Sequence, residues 1–381
     1  MNFAFTEEQE ELRSAARAFL ADHSSSEQVR RAMESDLGYE PEVWKRVGAE
    51  LGWTAVTIPE EFGGIGLGDV ELVALMEIMG EHLFCAPYFA SVCLGAGALL
   101  VAGSAEQKAE HLPAIAEGRT LATLAYAESE SGAEPTDLAM LAEPADAGFV
   151  LRGVKRFVVD GAAADLLVVA AREPGSRGEA GISLFLVPSG SPGLRVTPLP
   201  TMDPTRRQAE VALDGVRVPS SARLDGPEGG GASLREILDR AAIALAAEQV
   251  GGAQRCLDLS VAYAKEREQF GRPIGSFQAI KHKCADMMVR VESARSAAYY
   301  AACVAAEAVP ELSGAASLAK AYCSEAYFHC AAASIQIHGG VGFTWEYDPH
   351  LYFKRAQASE HLLGDPTWHR ERIARQLCGT P

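Results

Sequence analysis

The chain has 381 residues, 48% of them hydrophobic and 22% charged, with a formal net charge of -17. That length supplies roughly two or three domains with buried cores, and the acidic balance excludes nucleic acid or an anionic membrane as the main partner. The eight cysteines form no C-x-x-C pair and no metal-ligand spacing, so reduced thiols in a cytoplasmic protein without a metal centre are expected.

The first residues, MNFAFTEEQEELR, are acidic and amphipathic, so no secretory leader is expected. Thr6 and Gln9 match a capping box, and Leu12, Ala16 and Leu20 recur at helical spacing, which predicts a helix over 6–24. A short helix to about Met33 follows, and Pro41 opens another through Leu51. Glycines 63, 64, 66 and 68 follow no strand and lead into no Lys-Ser or Lys-Thr, so they read as a structural loop and not a phosphate cradle. Helices are expected over 69–84, 88–102 and 105–116. The longest apolar run, 91–103, is too short and too glycine-rich to span a bilayer.

From Thr120 to about Leu224 the pattern changes to short β-branched runs such as Phe149-Val150-Leu151 and Ile182-Ser183-Leu184-Phe185-Leu186-Val187. Pro and Gly separate them as in a small antiparallel barrel or sandwich. Residues 226–231 read as a flexible joint. Helical periodicity then returns from Leu234 to Leu377 as about four helices of a bundle, broken near Pro310. The expected organisation is α+β, with a helical domain over 1–118, a β domain over 119–225 and a helical bundle over 226–381.

The richest chemistry lies between Arg267 and Gln278. Gly271 and Pro273 break the helical pattern there, and two Arg, two Gln and two Phe crowd the turn. Donors beside aromatic faces suit a flat, phosphate-bearing ligand; a helical corner with solvated arginines is the plainer alternative. The run R-x-Q-F-G-x-x-I-x-x-F-Q, followed after six intervening residues by Ala285-Asp286-Met287, resembles the signature of the acyl-CoA dehydrogenase family. The resemblance covers nearly the whole chain. It implies FAD as cofactor, with Arg267, Phe270 and Gln278 reaching the FAD of a neighbouring subunit.

Two further segments extend the resemblance. Residues 127–134 line up with the family's T-E-x-x-x-G-S-D, and 153–160 with its G-x-K-x-W-I-T-N. In the family these lie against the flavin ring, which makes Ala127, Ala133, Phe157 and Val159 the implied ring contacts, with Phe157 stacking on it. Ala127, Ala133 and Val159 stand where the family has hydroxyls, so backbone N–H groups are left to bond the ring. Burial of Phe157 in a β core is the alternative. The run from Gln336 through Gly339 and Gly340 to Glu346 resembles the family's Q-x-x-G-G-x-G-x-x-x-E and implies contacts at the nucleotide end. Paired glycines let a backbone approach a pyrophosphate closely, or simply end a helix. His338-Gly339-Gly340 is no esterase oxyanion loop, because no G-x-S-x-G accompanies it.

The family desaturates acyl-CoA, and a carboxylate must take the proton alpha to the thioester. Its usual Glu position is Leu363 here, and a second family position is Ala241. Glu248 is the candidate that remains, among Leu245, Ala244, Gly251 and Gly252 with no basic neighbour on its helix. The alternative is a solvated Glu248; Glu346 and Glu360 have polar surroundings. Runs such as A-A-E-Q-V-G and L-G-D-P resemble an actinobacterial branch acting on bulky or sterol-derived acyl-CoAs. Two functions follow from the resemblance. One is an acyl-CoA dehydrogenase that passes electrons to an electron-transfer flavoprotein. The other is a non-catalytic scaffold subunit that completes a partner's flavin site. A homo-tetramer, or a heterotetramer with a homologous subunit, is expected either way.

Overall fold

The computed structural model describes residues 6–128, 134, 137–224, 229–307 and 309–379. Helices α1 (Glu7–His23), α2 (Ser26–Glu34), α3 (Pro41–Lys45), α4 (Asp69–Glu81), α5 (Gly97–Ala102) and α6 (Ala105–Ala116) come first. Strands β1 (Ala122–Ala125), β2 (Leu141–Ala145), β3 (Gly148–Val159), β4 (Leu166–Arg172), β5 (Ile182–Pro188), β6 (Leu194–Pro198), β7 (Gln208–Pro219) and β8 (Arg223–Leu224) follow. Then come α7 (Gly230–Glu266), the short strands β9 (Glu268–Gln269) and β10 (Arg272–Pro273), α8 (Gln278–Glu307), α9 (Leu312–His338), α10 (Pro349–His361) and α11 (Pro366–Cys378). The α+β class expected from the sequence is observed.

Local rules account for several boundaries. The Thr6 hydroxyl accepts the Gln9 N–H at 3.2 Å and the Gln9 side chain accepts the Thr6 N–H at 3.0 Å, so the capping box sets the start of α1. Two expected helices are less regular than their periodicity suggests: α3 passes into a π-helical turn over Arg46–Glu50, and α5 is preceded by one over Phe89–Ala96. Five helices, not about four, are described after residue 229, because Leu363 and Gly364 leave the helical region and Pro366 starts α11.

The compact units do not follow three consecutive segments. One comprises residues 1–31, 69–84 and 242–381; the other comprises 32–68 and 85–241, so the division falls within α7. The first is a helical body. Its buried Glu77 on α4 accepts from Arg295 on α8 at 3.0 Å and from Arg13 on α1 at 3.4 Å, and also bonds the Tyr299 hydroxyl. That node ties the early helices to the late ones. The second holds an eight-stranded sheet in the order β6-β7-β3-β2-β4-β5-β8, with β1 added parallel to β4. Strands β1 and β4 are buried at every position, as expected of strands covered on both faces.

The described part of the expected joint is closely packed, which corrects the flexible reading. A Cβ at Gly230 would lie 2.4 Å from the Ile182 carbonyl oxygen, and one at Gly231 2.6 Å from that of Glu179. These glycines let α7 begin directly against the β5 region.

Candidate active site

In the sheet unit, β3 carries the ring-contact segment. Its pairing with β7 breaks register between Lys155 and Val158, so Arg156 and Phe157 form a bulge. Phe157 has φ 55°, an outlier for a bulky side chain, and its ring is 36% exposed while Val158 and Val159 are each 2% exposed. The Arg156 N–H donates to the Ala127 carbonyl at 2.8 Å, and the Thr123 hydroxyl donates to the Val159 carbonyl at 2.7 Å. Ala127, Phe157 and Val159 are therefore brought together, and Phe157 is not plain core. Ala133 lies outside the described residues.

Sequence reasoning assigned no role to Lys155. Its side chain is fully buried, and its ammonium donates to the Tyr126 carbonyl at 3.1 Å and to the Glu128 carboxylate at 2.5 Å. Desolvation lowers its pKa to about 8, against the opposing pull of Glu128. A signal existed: Lys155 shares strand parity with the buried Leu151, so the two-residue period already turned it inward.

In the helical unit, α7 and α8 are joined by the β9–β10 hairpin. Phe270 and Gly271 form its two-residue turn with φ 54° and 75°, the sign pattern of a type I′ turn. A left-handed phenylalanine costs about 1–3 kcal/mol, yet its ring is 92% exposed and its recorded ring contact is an edge contact with Phe277 at 6.2 Å. Arg267 and Gln278 are exposed on either side. Strain spent on presenting an aromatic to solvent fits a flat ligand or a second subunit better than it fits the stability of this chain.

The Gly-Gly motif lies at the end of α9. Gly339, with φ 65° and ψ -142°, is in a region open essentially to glycine, and a Cβ at Gly339 or Gly340 would meet nothing within 4 Å. Gln336, Gly339 and Gly340 are exposed. The Tyr263 and His338 rings stack at 4.4 Å, and the Tyr263 carbonyl accepts the Arg267 N–H at 2.8 Å. That stack joins the arginine turn to the glycine turn. Exposed donors, an exposed aromatic and an open glycine backbone fit the nucleotide end of FAD.

Glu248 is buried, as the base reading requires, but it has a cation that its own helix does not supply. Its carboxylate is buried, and Arg355 of α10 donates to it at 2.8 Å, with both side chains at most 5% exposed. Neither a solvated Glu nor one without a cation is present; the basic partner comes from 107 residues away. The helix around it is committed to packing, since a Cβ at Gly80 would lie 2.0 Å from the Glu248 carbonyl oxygen and one at Gly251 1.8 Å from that of Glu77. A buried pair of this kind loses several kcal/mol when one partner is removed.

The turn at the family's usual carboxylate position is also well held. Leu363 is buried with φ 63°, followed by Gly364 at φ 102°. The fully buried Lys320 donates to the carbonyls of Glu360 and Gly364 at 3.0 and 2.9 Å and to the Ser324 hydroxyl at 3.0 Å. His369 Nε2 lies 3.1 Å from the Leu363 carbonyl oxygen, and burial lowers that imidazole to about 3, so its neutral form is the donor. Ala241 is likewise buried. Glu346 is exposed, and Glu360 is half-buried with its pKa raised by desolvation.

Comparison with known proteins shows the family and the fold. Residues 6–119, 123–216 and 228–378 match the N-terminal, middle and C-terminal domains of acyl-CoA dehydrogenase. The acyl-CoA dehydrogenase IpdE2 of Mycolicibacterium smegmatis is 37% identical over 97% of this chain and 98% of its own. A chain of the ChsE4-ChsE5 complex from Mycobacterium tuberculosis superposes with a TM-score of 0.91 at 30% identity, over 100% of both chains. The Tcur3481-Tcur3483 steroid ACAD gives a TM-score of 0.88 at 31% identity over 98% of each chain. No helix among the described residues is long and apolar enough to cross a membrane. The chain belongs to the acyl-CoA dehydrogenase family, the FAD-dependent oxidoreductases that act on acyl-CoA thioesters.

Proposed function

We propose that the chain takes part in α,β-desaturation of a bulky or sterol-derived acyl-CoA, as one subunit of a cytoplasmic heterotetramer whose homologous partner supplies the proton-abstracting carboxylate. The observation that carries this reading is the Glu248–Arg355 pair. It engages the remaining candidate base, while the two family positions hold Leu363 and Ala241. Similarity to a chain of the ChsE4-ChsE5 complex supports a heteromeric assembly.

FAD, when bound, would supply the acceptor for the hydride that leaves the substrate's beta carbon, and an electron-transfer flavoprotein would be its electron acceptor. This chain's part is to hold that cofactor. Phe157 supports the ring from a bulge, the backbone at Ala127 and Val159 flanks it, and Arg267, Phe270, Gln278, Gln336, Gly339 and Gly340 take the nucleotide, across a subunit boundary. Ala133 belongs to the ring contacts on the family resemblance.

The other reading is a chain sufficient by itself, with Glu248 as base; its burial beside the small-residue face of α7 favours it. A visible spectrum of the chain purified alone, followed by a panel of acyl-CoAs, separates the two. Flavin bleaching that Glu248→Gln abolishes would establish the self-sufficient dehydrogenase. Flavin that bleaches only after a homologous subunit is co-expressed supports the heteromeric one.

A further inference from the structure

A fully buried lysine beside a carboxylate rarely stabilises a fold better than apolar residues of the same shape. The position of the Lys155–Glu128 pair gives it another use. The ammonium bonds the Tyr126 carbonyl and the Glu128 carboxylate, which flank Ala127 on both sides. Glu128 in turn accepts the N–H groups of Ala139 at 2.7 Å and Met140 at 3.0 Å, just ahead of β2. On the lysine's own strand, the next residue donates its N–H to Ala127, and the one after that is the left-handed Phe157. One ammonium thus sits at the crossing of three segments.

We infer that Lys155 is a positioning residue for the cofactor: through Glu128 it fixes the backbone at Ala127 relative to the Phe157 ring. Ala127 and Val159 carry no hydroxyl, so their polar contribution to a bound ring is their backbone alone. A backbone donor cannot rotate to correct a displacement as a hydroxyl can, and so its placement has to come from the surrounding bonds. The inference rests on the reading of Ala127 and Phe157 as ring contacts.

The test uses the full chain in the assembly in which it is isolated, stripped of flavin and titrated with FAD. Lys155→Met, Glu128→Gln and Phe157→Ala are compared by dissociation constant, by the shape of the visible flavin band, and by far-UV circular dichroism for folding. Loss of a charge-assisted bond predicts FAD bound about tenfold or more weakly by both Lys155→Met and Glu128→Gln, with an altered band. Wild-type affinity and band in both, beside weakened binding by Phe157→Ala, would overturn the positioning role and leave the ring contact standing. No effect from Phe157→Ala either would remove the ring contact and the inference with it. If Lys155→Met fails to fold, Glu128→Gln decides, because it removes the charge and keeps the shape. Loss of the fold in both reduces the pair to a structural one and overturns the inference.

Discussion

The β3 bulge and the turn after α10 use the same device to different ends. Each places a non-glycine residue in the left-handed region, Phe157 at φ 55° and Leu363 at φ 63°, and each has a fully buried lysine beside it. Lys155 has a carboxylate partner, whereas Lys320 holds two carbonyls and a hydroxyl. The bulge turns an aromatic ring outward; the turn tucks an aliphatic side chain inward. An active site is built from supports and from reacting groups, and the turn at Leu363 has a support but no carboxylate at its left-handed residue. Strain of this kind survives where the surroundings over-determine it.

The most demanding way to sharpen the contrast is Leu363→Glu. If the turn still presents its side chain as the family's carboxylate turn does, the flavin-loaded assembly should gain acyl-CoA-dependent bleaching. The gain should be about 100-fold over its residual rate, the lower end for a positioned general base. Stopped-flow absorbance reads it, and an unchanged rate would mean that the turn has lost its orientation as well as its acid.

Next in size is the difference between the lysines. Lys155→Met strands the Glu128 carboxylate and should destabilise the fold by roughly 3–5 kcal/mol. Lys320→Met leaves the carbonyls of Glu360 and Gly364 without that donor and should lose roughly 1–3 kcal/mol. Urea unfolding of both variants checks the order; equal losses would show that the counter-ion, not the carbonyls, is irrelevant to the support.

His369 supplies a pH test of the turn. Its folded pKa of about 3 lies below the ordinary value of 6.5, so between them the unfolded chain binds more protons. Its contribution is complete above 6.5 and is lost as pH falls towards 3, with a slope of at most about 1.4 kcal/mol per pH unit. His369→Gln, which can still donate to Leu363, should flatten the acid limb of the stability curve between those values.

The smallest effect on stability is expected at Phe270. Replacing it by Gly relieves the left-handed backbone and should leave the fold unchanged or more stable by up to about 1 kcal/mol, while FAD binding weakens. A variant that loses stability and keeps its flavin would remove Phe270 from the cofactor contacts.

Local rules made much of this legible from residues alone. Capping placed the start of α1, β-branched runs marked the sheet, and the sequence around Phe270-Gly271 announced a turn crowded with donors and rings. Helix ends, strand runs and turns depend on near neighbours, so a linear reading reaches them. The pairings of distant residues were decided by packing. Arg355 meets Glu248 because α10 is brought against α7, and that gave the candidate base a cation that its own helix does not carry. Lys320 reaches Gly364 across 44 residues, and Glu128 meets Lys155 because β3 runs beside the end of β1. A side chain's charge environment is set by whatever the fold brings within a few ångströms, and one-dimensional spacing does not contain that distance.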